Sequence, residues 1–220
     1  MIKKFILKIN GYLNKHQRER KVFCIGLHKT GTTTLAMLFK DYGFNTIHSV
    51  DWQSDENKLS KYDFFSDGGS HFDDVNEFNI KRLQEKFPEA FFILQTRDTE
   101  KWIISKLKHA GWKEDTIPID FNKSEINHED WKFKSLFIVQ KLIEHKYDYE
   151  KKVKKYFSKK PNNFLVIDIT DEERQYKEYN KLKQILNLRS INKIDLPHSN
   201  KRKSNHILSK DVLDFIKTVN

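Results

Sequence analysis

Cysteine is almost absent from this sequence: Cys24 is its single cysteine, so no disulfide can form within the chain and nothing suggests a structural zinc site. Long apolar runs are also missing, and no stretch reaches the roughly 18 residues that a membrane-spanning helix needs. Residues 1–13 have the basic start of a signal peptide, but Lys8 interrupts their apolar stretch and no small-residue cleavage site follows. These absences predict a cytoplasmic protein.

Proline, glycine and serine nowhere cluster into a linker, and the chain has neither an internal repeat nor a low-complexity tract. The apolar fraction of 37% is low, but 13% of the residues are aromatic, and each aromatic ring buries a large area. This composition is typical of a folded chain rather than a disordered one. We therefore predict one domain over residues 1–220, with an amphipathic helix in residues 1–20 and a basic loop and helix in residues 201–220.

The amphipathic helix at the start of the sequence has one apolar face. That face consists of Ile2, Phe5, Ile6, Ile9 and Leu13. Lysines lie elsewhere around the helix, at Lys3, Lys4 and Lys8. Such a face predicts packing against the domain, and peripheral contact with a membrane through residues 1–13 is the alternative.

Positive charge exceeds negative charge by 10, with 41 Lys and Arg against 31 Asp and Glu. A field of this sign attracts anions in general, including nucleotides, nucleic acids, acidic glycans and anionic lipids. Half of the excess lies in Lys141 to Lys160, where eight lysines stand against three acidic residues. Apolar residues recur at helical spacing through this window, which predicts a packed helix with a solvated lysine face. A polyanion-binding face is the alternative.

Short buried strands alternate with amphipathic helices along the chain. The predicted strands are Val22–Ile25, Phe44–Ile47, Tyr62–Phe65, Ala90–Gln95 and Asn163–Ile169. Strands that alternate with helices are joined by crossover connections, which make neighbouring strands parallel. We therefore predict a three-layer α/β fold with a central parallel sheet of about five strands.

The most informative segment is VFCIGLHKTGTTTL, from Val22 to Leu35. In this segment a strand enters a turn with two glycines, Gly26 and Gly31, and a helix rich in hydroxyl groups follows. Glycines let the backbone approach an anion closely, and the N-terminus of the helix adds partial positive charge, so this pattern predicts a phosphate site. The nucleotide-hydrolase pattern GxxxxGK[ST] needs a lysine directly after the second glycine. Here Thr32 takes that position, and the lysine comes two residues before the glycine, at Lys29.

A second segment, FFILQTRDTEKWIISKL, runs from Phe91 to Leu107. It places Arg97 at the carboxyl end of a strand and Ser105 eight residues later in a helix. Ligands of open α/β sheets bind at the carboxyl ends of the strands, so Arg97 is expected at the same crevice as the glycine-rich turn. For an isolated arginine in this position, a salt-bridge role is the alternative.

The lysine two residues before the glycine, in KTGTT, resembles the loop with which sulfotransferases hold their donor, 3′-phosphoadenosine-5′-phosphosulfate (PAPS). The resemblance extends over most of residues 21–205, and it implies that the three-layer α/β fold is a P-loop fold. It implies that the 5′-phosphosulfate contacts the turn, at His28, Lys29, Thr30, Gly31, Thr32 and Thr33. It further implies that Arg97 and Ser105 grip the 3′-phosphate, and that no metal is needed. The basic residues Lys201 and Arg202 would close over that phosphate, although a solvated basic tail is equally compatible with the sequence.

Sulfuryl transfer also needs a general base to take the proton of the acceptor. Asp67 follows the third predicted strand, where the base of this family usually lies, so it is the candidate that the resemblance favours. His71 and His48 are the rivals, and a turn or N-cap role for Asp67 is the structural alternative. Trp102 and Trp112 are candidates for stacking on adenine, although the helical spacing of Trp102 also suits a core residue.

The resemblance implies transfer of a sulfuryl group from PAPS to a hydroxyl or amine, with 3′,5′-ADP as the product. The acceptor group is expected on a carbohydrate, because carbohydrate acceptors are frequent in this family. The acceptor would be an acidic or lipid-linked glycan, and no nucleic-acid partner is expected because no nucleic-acid-binding module is recognisable. Two other functions stay open on the residues alone. One is a P-loop kinase acting on a small molecule, and the other is a non-catalytic protein that binds polyanions or nucleic acid. The sequence does not determine the oligomeric state.

Overall fold

The computed structural model describes residues 2–68, 77–110, 131–196 and 210–218. Two compact units make up the chain. The first consists of Met1–Thr96 and Tyr149–Asn200, and the second consists of Arg97–Asp148 and Lys201–Asn220. The single domain over residues 1–220 stays a prediction.

A sheet of five parallel strands forms the centre of the first unit. The strands are β1 (Val22–Cys24), β2 (Thr46–His48), β3 (Phe64–Ser66), β4 (Phe91–Gln95) and β5 (Phe164–Ile167). Their order across the sheet is β2-β3-β1-β4-β5, and every neighbouring pair is parallel. The prediction of an α/β fold with a central parallel sheet of about five strands is confirmed.

Helices alternate with these strands along the chain. They are α1 (Ile2–Leu13), α2 (Lys15–Glu19), α3 (Thr32–Asp41), α4 (Glu56–Lys61), α5 (Glu77–Lys86), α6 (Thr99–His109), α7 (Trp131–Phe157), α8 (Gln175–Ile185) and α9 (Lys210–Thr218). Short 3₁₀ helices lie at Trp52–Ser54 and Pro161–Asn163. Within the described ranges, no helix is both long enough and apolar enough to cross a membrane.

The strands bury both faces of the sheet, as expected for a parallel sheet between helices. On one face, alternate strand residues such as Val22, Cys24 and Ile93 join α3 and α8 in one apolar cluster. On the other face, Phe23 stacks on Phe65, with ring centroids 4.8 Å apart. Other aromatic rings surround Phe23 on that face: Trp52, Phe87 and Phe92. Aromatic rings thus form much of the core on this face of the sheet.

The second unit contains α6, α9 and the first part of α7. Trp102, Ile103 and Leu107 are the buried residues of α6, and α9 packs against this helix with Val212 and Ile216 buried. The burial of Trp102 favours the core role for this ring over stacking on adenine. Trp112 lies outside the described residues.

Helix α1 packs on the first unit through a polar face, which corrects the expectation that its apolar face would be buried. Its buried residues are Asn10 and Gly11. Asn10 Nδ2 donates to the carbonyl of Asp41 at 2.8 Å, and Asn14 Nδ2 donates to the carbonyl of Tyr42 at 3.0 Å. The predicted helix is present, but hydrogen bonds to the end of α3 set its rotation, and its apolar residues Ile2 and Phe5 are exposed.

Replacing Gly43 with Ala is expected to destabilise this contact strongly. Gly43 has φ 82°, and a Cβ atom there would lie 2.2 Å from the backbone nitrogen of Gly11. The left-handed backbone and the clash together are expected to lower the free energy of unfolding by about 2–4 kcal/mol. Chemical denaturation followed by circular dichroism measures this loss.

The matched control for this prediction is Gly11→Ala on the opposite side of the same contact. Its Cβ would approach the carbonyl oxygen of Gly43 to 3.1 Å, and Ala is favoured over Gly inside a helix. This variant should therefore lose less stability than Gly43→Ala. A Gly43→Ala protein as stable as the wild type would show that the two backbones do not pack so closely.

Candidate active site

The turn between β1 and α3 has the backbone of an anion-binding loop. Lys29 and Gly31 both have positive φ, 69° and 93°, so two of the three residues from Lys29 to Gly31 have a left-handed backbone. Gly31 is the N-cap of α3, and no side chain caps that helix. The amides that open an α-helix have no partner within the helix. They lie where a phosphate oxygen would accept their hydrogen bonds.

Side chains from neighbouring elements hold this turn in place. Gln95, the last residue of β4, bonds Gly26 twice: Gly26 N donates to Gln95 Oε1 at 3.0 Å, and Gln95 Nε2 donates to Gly26 O at 3.3 Å. Tyr149 donates its hydroxyl proton to the carbonyl of Ile25. Thr30 is buried, and its hydroxyl donates to the carbonyl of Leu27. The side chain of Thr30 therefore braces the loop, and its backbone N–H is the part suited to a phosphate.

Asp67 follows β3 directly and lies in a left-handed conformation, with φ 70°. Two residues of the 3₁₀ helix hold the carbonyls on either side of it. Trp52 Nε1 donates to Ser66 O at 3.1 Å, and Gln53 Nε2 donates to Gly68 O. These contacts fix the direction in which the Asp67 carboxylate points.

The Asp67 carboxylate contacts the turn between β1 and α3 directly. His28 Nδ1 lies 2.9 Å from Asp67 Oδ1, and the Thr32 hydroxyl donates to the same oxygen at 3.1 Å. The other carboxylate oxygen, Oδ2, lies 3.7 Å from His48 Nε2. One carboxylate thus joins two histidines to the first residue of α3.

His48, at the end of β2, is held by the register of the sheet. β2 and β3 pair in parallel with His48 opposite Ser66, and His48 Nδ1 lies 2.9 Å from Ser66 Oγ. The other ring nitrogen, Nε2, lies 3.2 Å from the hydroxyl of Thr33. Since both ring nitrogens have hydroxyl partners, the imidazole has a defined orientation beside α3.

Opposing effects act on the ionisation of Asp67. Burial raises the pKa of its carboxyl group, but the hydrogen bond and charge of His28, the charge of His48 and the Thr32 hydroxyl together outweigh burial. The net result is a pKa below the usual value for aspartate, so the group is a carboxylate throughout the neutral range. It can accept a proton, but it is a weaker base than an ordinary aspartate.

The structure places the predicted site residues in three groups. Lys29, Thr32, Thr33, His28 and His48 lie with Asp67 in the first unit, as described above. Arg97 and Ser105 lie in the second unit, two residues after β4 and within α6. His71, Lys201 and Arg202 lie outside the described residues.

Sequence reasoning missed several residues that support the site. They are Trp52, Gln53, Ser66, Gln95 and Tyr149. A signal existed for Gln95, because a polar residue at the end of an apolar strand needs a buried partner. No signal existed for Tyr149, which contacts Ile25 from a position 124 residues away in the sequence.

The described part of the chain contains no group of three or more His, Cys, Asp or Glu side chains that could hold a metal ion. What the turn offers instead is a set of backbone amides, the ammonium of Lys29 and the hydroxyl of Thr33, all suited to an anion. The predicted role of the Thr32 hydroxyl on the anion is not seen, because its one proton is donated to Asp67. Beside the amides lies a carboxylate in contact with imidazole. This arrangement is suited to a reaction that moves a negatively charged group and also needs a proton acceptor.

Comparison with protein families identifies one relationship. A family model described as a sulfotransferase domain matches residues 21–205. This range includes the turn between β1 and α3, Asp67, Arg97 and Ser105. No curated protein matches the chain.

Proposed function

Because this chain belongs to the sulfotransferase family, we propose that it transfers a sulfuryl group from PAPS to a hydroxyl or amine of an acceptor. The turn between β1 and α3 is the observation that carries the proposal. It combines Lys29 and Gly31 in left-handed conformations with the uncapped start of α3, and it lies within the matched range. These features suit the 5′-phosphosulfate of this donor.

Different residues of the turn would contact different parts of that group. The backbone amides around Gly31 and the Thr33 hydroxyl bind the 5′-phosphate, because amides at the start of a helix favour negative charge. The ammonium of Lys29 neutralises charge that develops on the oxygen bridging sulfur and phosphorus as the sulfur–oxygen bond breaks. Positioning and charge stabilisation of this kind account for most of the catalysis in the related transfer of phosphoryl groups.

We assign the 3′-phosphate to Arg97 and Ser105. Arg supplies planar, charge-assisted hydrogen bonds, and a serine hydroxyl adds one more. Support comes from the position of Arg97 just beyond the carboxyl end of β4, since ligands of parallel α/β sheets bind at this edge. Lys201 and Arg202 would add charge to the same phosphate.

The proton of the acceptor would go to Asp67. The acceptor oxygen or nitrogen forms a bond to sulfur, the bond from sulfur to the bridging oxygen breaks, and 3′,5′-ADP leaves. The supporting observation is the hydrogen bond from Thr32 at the start of α3 to Asp67. His28 and His48 stabilise the ionised carboxylate in this arrangement. His71 and His48 are the alternative bases.

We further propose a cytoplasmic enzyme that acts on a carbohydrate, either an acidic or a lipid-linked glycan. The excess of 10 positive charges supports an anionic acceptor. No metal ion enters the proposed reaction, because Lys29 and the amides of the turn supply the positive charge.

Calorimetry with adenine nucleotides tests the donor. We expect 3′,5′-ADP to bind about 30- to 1000-fold more tightly than 5′-AMP, because a phosphate held by Arg97 and Ser105 contributes about 2–4 kcal/mol. Arg97→Ala should remove most of this difference, whereas the exposed Arg174→Ala is the matched control and should leave it intact. Equal affinities of the wild type for the two nucleotides would exclude a 3′-phosphate site. Tight binding of ATP with magnesium instead would indicate a kinase.

A further inference from the structure

Helix α1 exposes a row of large apolar side chains to solvent. Ile2 is 77% exposed, Phe5 64% and Tyr12 79%. Together with the half-buried Ile9, these residues follow the spacing i, i+3, i+7 and i+10, so they lie on one side of the helix. Leu13 continues the row at its end. Neighbouring exposed rings and branched chains of this kind mark an interaction surface rather than scattered exposure.

This apolar row cannot turn toward the core, because the opposite side of α1 is held by specific contacts. Gly11 packs against Gly43. The backbone N–H of Ile191 donates to Asn10 Oδ1 at 3.1 Å, and Asn14 Nδ2 donates to the carbonyl of Arg189 at 2.7 Å. Two chain segments, Asp41–Gly43 and Arg189–Ile191, thus fix the rotation of the helix, and its apolar side points away from the unit.

The charge on α1 is of one sign. Its sequence IKKFILKINGYL contains Lys3, Lys4 and Lys8 and no acidic residue. All three lysines are exposed, as is Lys15 at the start of α2. Lys4 and Lys8 are one turn apart and flank the apolar row on one side.

We propose that α1 binds in the plane of a membrane surface that contains anionic lipids. Amphipathic helices of this composition bury their apolar side at the boundary between headgroups and acyl chains, while lysines contact lipid phosphates and carboxylates. Tyr12 suits the same boundary, because a tyrosine ring has an apolar body and a polar end. Charge decides between a membrane and a second copy of the chain. Two α1 helices packed through this row would bring their lysines together, whereas an anionic surface neutralises them.

Vesicle flotation measures this binding directly. The full chain is expected to float with phosphatidylcholine vesicles that contain phosphatidylserine, and to bind pure phosphatidylcholine at least about tenfold more weakly, because each lysine near an anionic surface contributes roughly a fivefold factor. High salt should weaken the binding by screening. Equal binding to both vesicles, or none to either, would overturn the proposal.

Two pairs of variants separate α1 from the rest of the surface. Phe5→Ser should lower vesicle binding about tenfold, whereas Tyr147→Ser, equally exposed at 64% on α7, should not. Lys4→Glu with Lys8→Glu should abolish binding. The same double exchange at Lys152 and Lys155, both exposed on α7, should retain most of it. If the α7 variants lose as much as the α1 variants, the lysine face of α7 is the binding surface and the proposal is wrong.

Two further measurements test whether the variants are folded and whether the chain self-associates. Affinity for 3′,5′-ADP should be unchanged in all four variants, which shows that each is folded and that the phosphate-binding turn is intact. Sedimentation velocity without vesicles tests whether a second copy of the chain binds to the apolar row. A dimer of the wild type that Phe5→Ser dissociates would assign the apolar row to self-association and exclude the membrane. If the wild type is exclusively monomeric and its flotation with vesicles depends on Phe5, the result supports binding of the apolar row to a membrane.

Discussion

Replacing Asp67 with Asn is expected to lower kcat by about 100- to 10,000-fold, the usual contribution of a general base. Asn keeps the size of the side chain and an oxygen that can still accept from Thr32. It is also the residue, besides Gly, that best tolerates the positive φ of this position. The fold of the turn should therefore survive, and affinity for 3′,5′-ADP should change little. The loss would report the missing proton acceptor rather than a misplaced loop.

The rival bases provide the controls. His48→Gln and His71→Gln should retain kcat within about tenfold of the wild type, since in our proposal neither takes the proton. An Asp67→Asn enzyme with more than about a tenth of the wild-type kcat would exclude Asp67. If one histidine variant were the inactive one, that histidine would be the base and the sulfotransferase activity itself would stand.

The pH dependence of kcat/KM distinguishes a carboxylate base from an imidazole. A base works in its deprotonated form, so activity is lost as the pH falls through its pKa. The pKa of Asp67 is lowered by its contacts with His28, His48 and Thr32, which outweigh the effect of burial. With Asp67 as base, activity should persist through the range near pH 6–7 in which an ordinary imidazole gains its proton, and it should be lost only at more acidic pH.

Lys29→Ala is expected to lower kcat by about two orders of magnitude or more, with a smaller loss of nucleotide affinity. The lysine acts mainly on charge that develops as the sulfur–oxygen bond breaks, so its removal should affect turnover more than binding. Turnover near the wild-type rate would assign Lys29 a purely structural role.

Lys29 has φ 69°, so the substitution must be separated from a change in backbone strain. Lys29→Asn removes the charge and tolerates this conformation better than Ala. It should show the same loss as Lys29→Ala. Lys40→Ala removes the same charge from the exposed end of α3, and this matched control should be nearly as active as the wild type.

The sequence was sufficient to predict the fold class and the position of the turn between β1 and α3, because both depend on local patterns. A buried strand, two glycines and an amphipathic helix within Val22–Leu35 define the turn without reference to the rest of the chain. The strand bounds were less accurate. The sequence pattern predicts a strand that begins at Phe44, but β2 begins two residues later. The ring of Phe44 instead packs edge-on against Phe39, with ring centroids 5.0 Å apart. Burial alone does not distinguish a strand from a packed loop.

The contacts of Asp67 could not be predicted in the same way. They depend on strand order, since β3 lies between β1 and β2, and a single sequence does not specify which strands are neighbours. This order places His48, Ser66 and Asp67 together beside the turn. The short helix α4 was also missed, although its N-cap Asp55 accepts hydrogen bonds from Asn57 and Lys58, because six mostly polar residues give no periodic apolar signal.

The hydrogen bonds of Asn10 and Asn14 have a consequence for where this protein can be shortened. The match to the sulfotransferase family begins at residue 21, but the carbonyls of Asp41 and Tyr42 at the end of α3 are satisfied by side chains that precede it. Helix ends require such partners. A chain cut at residue 21 would keep every proposed catalytic residue and lose these contacts at the far end of α3. We therefore expect a chain that begins at residue 21 to be less stable than one that keeps residues 10–14.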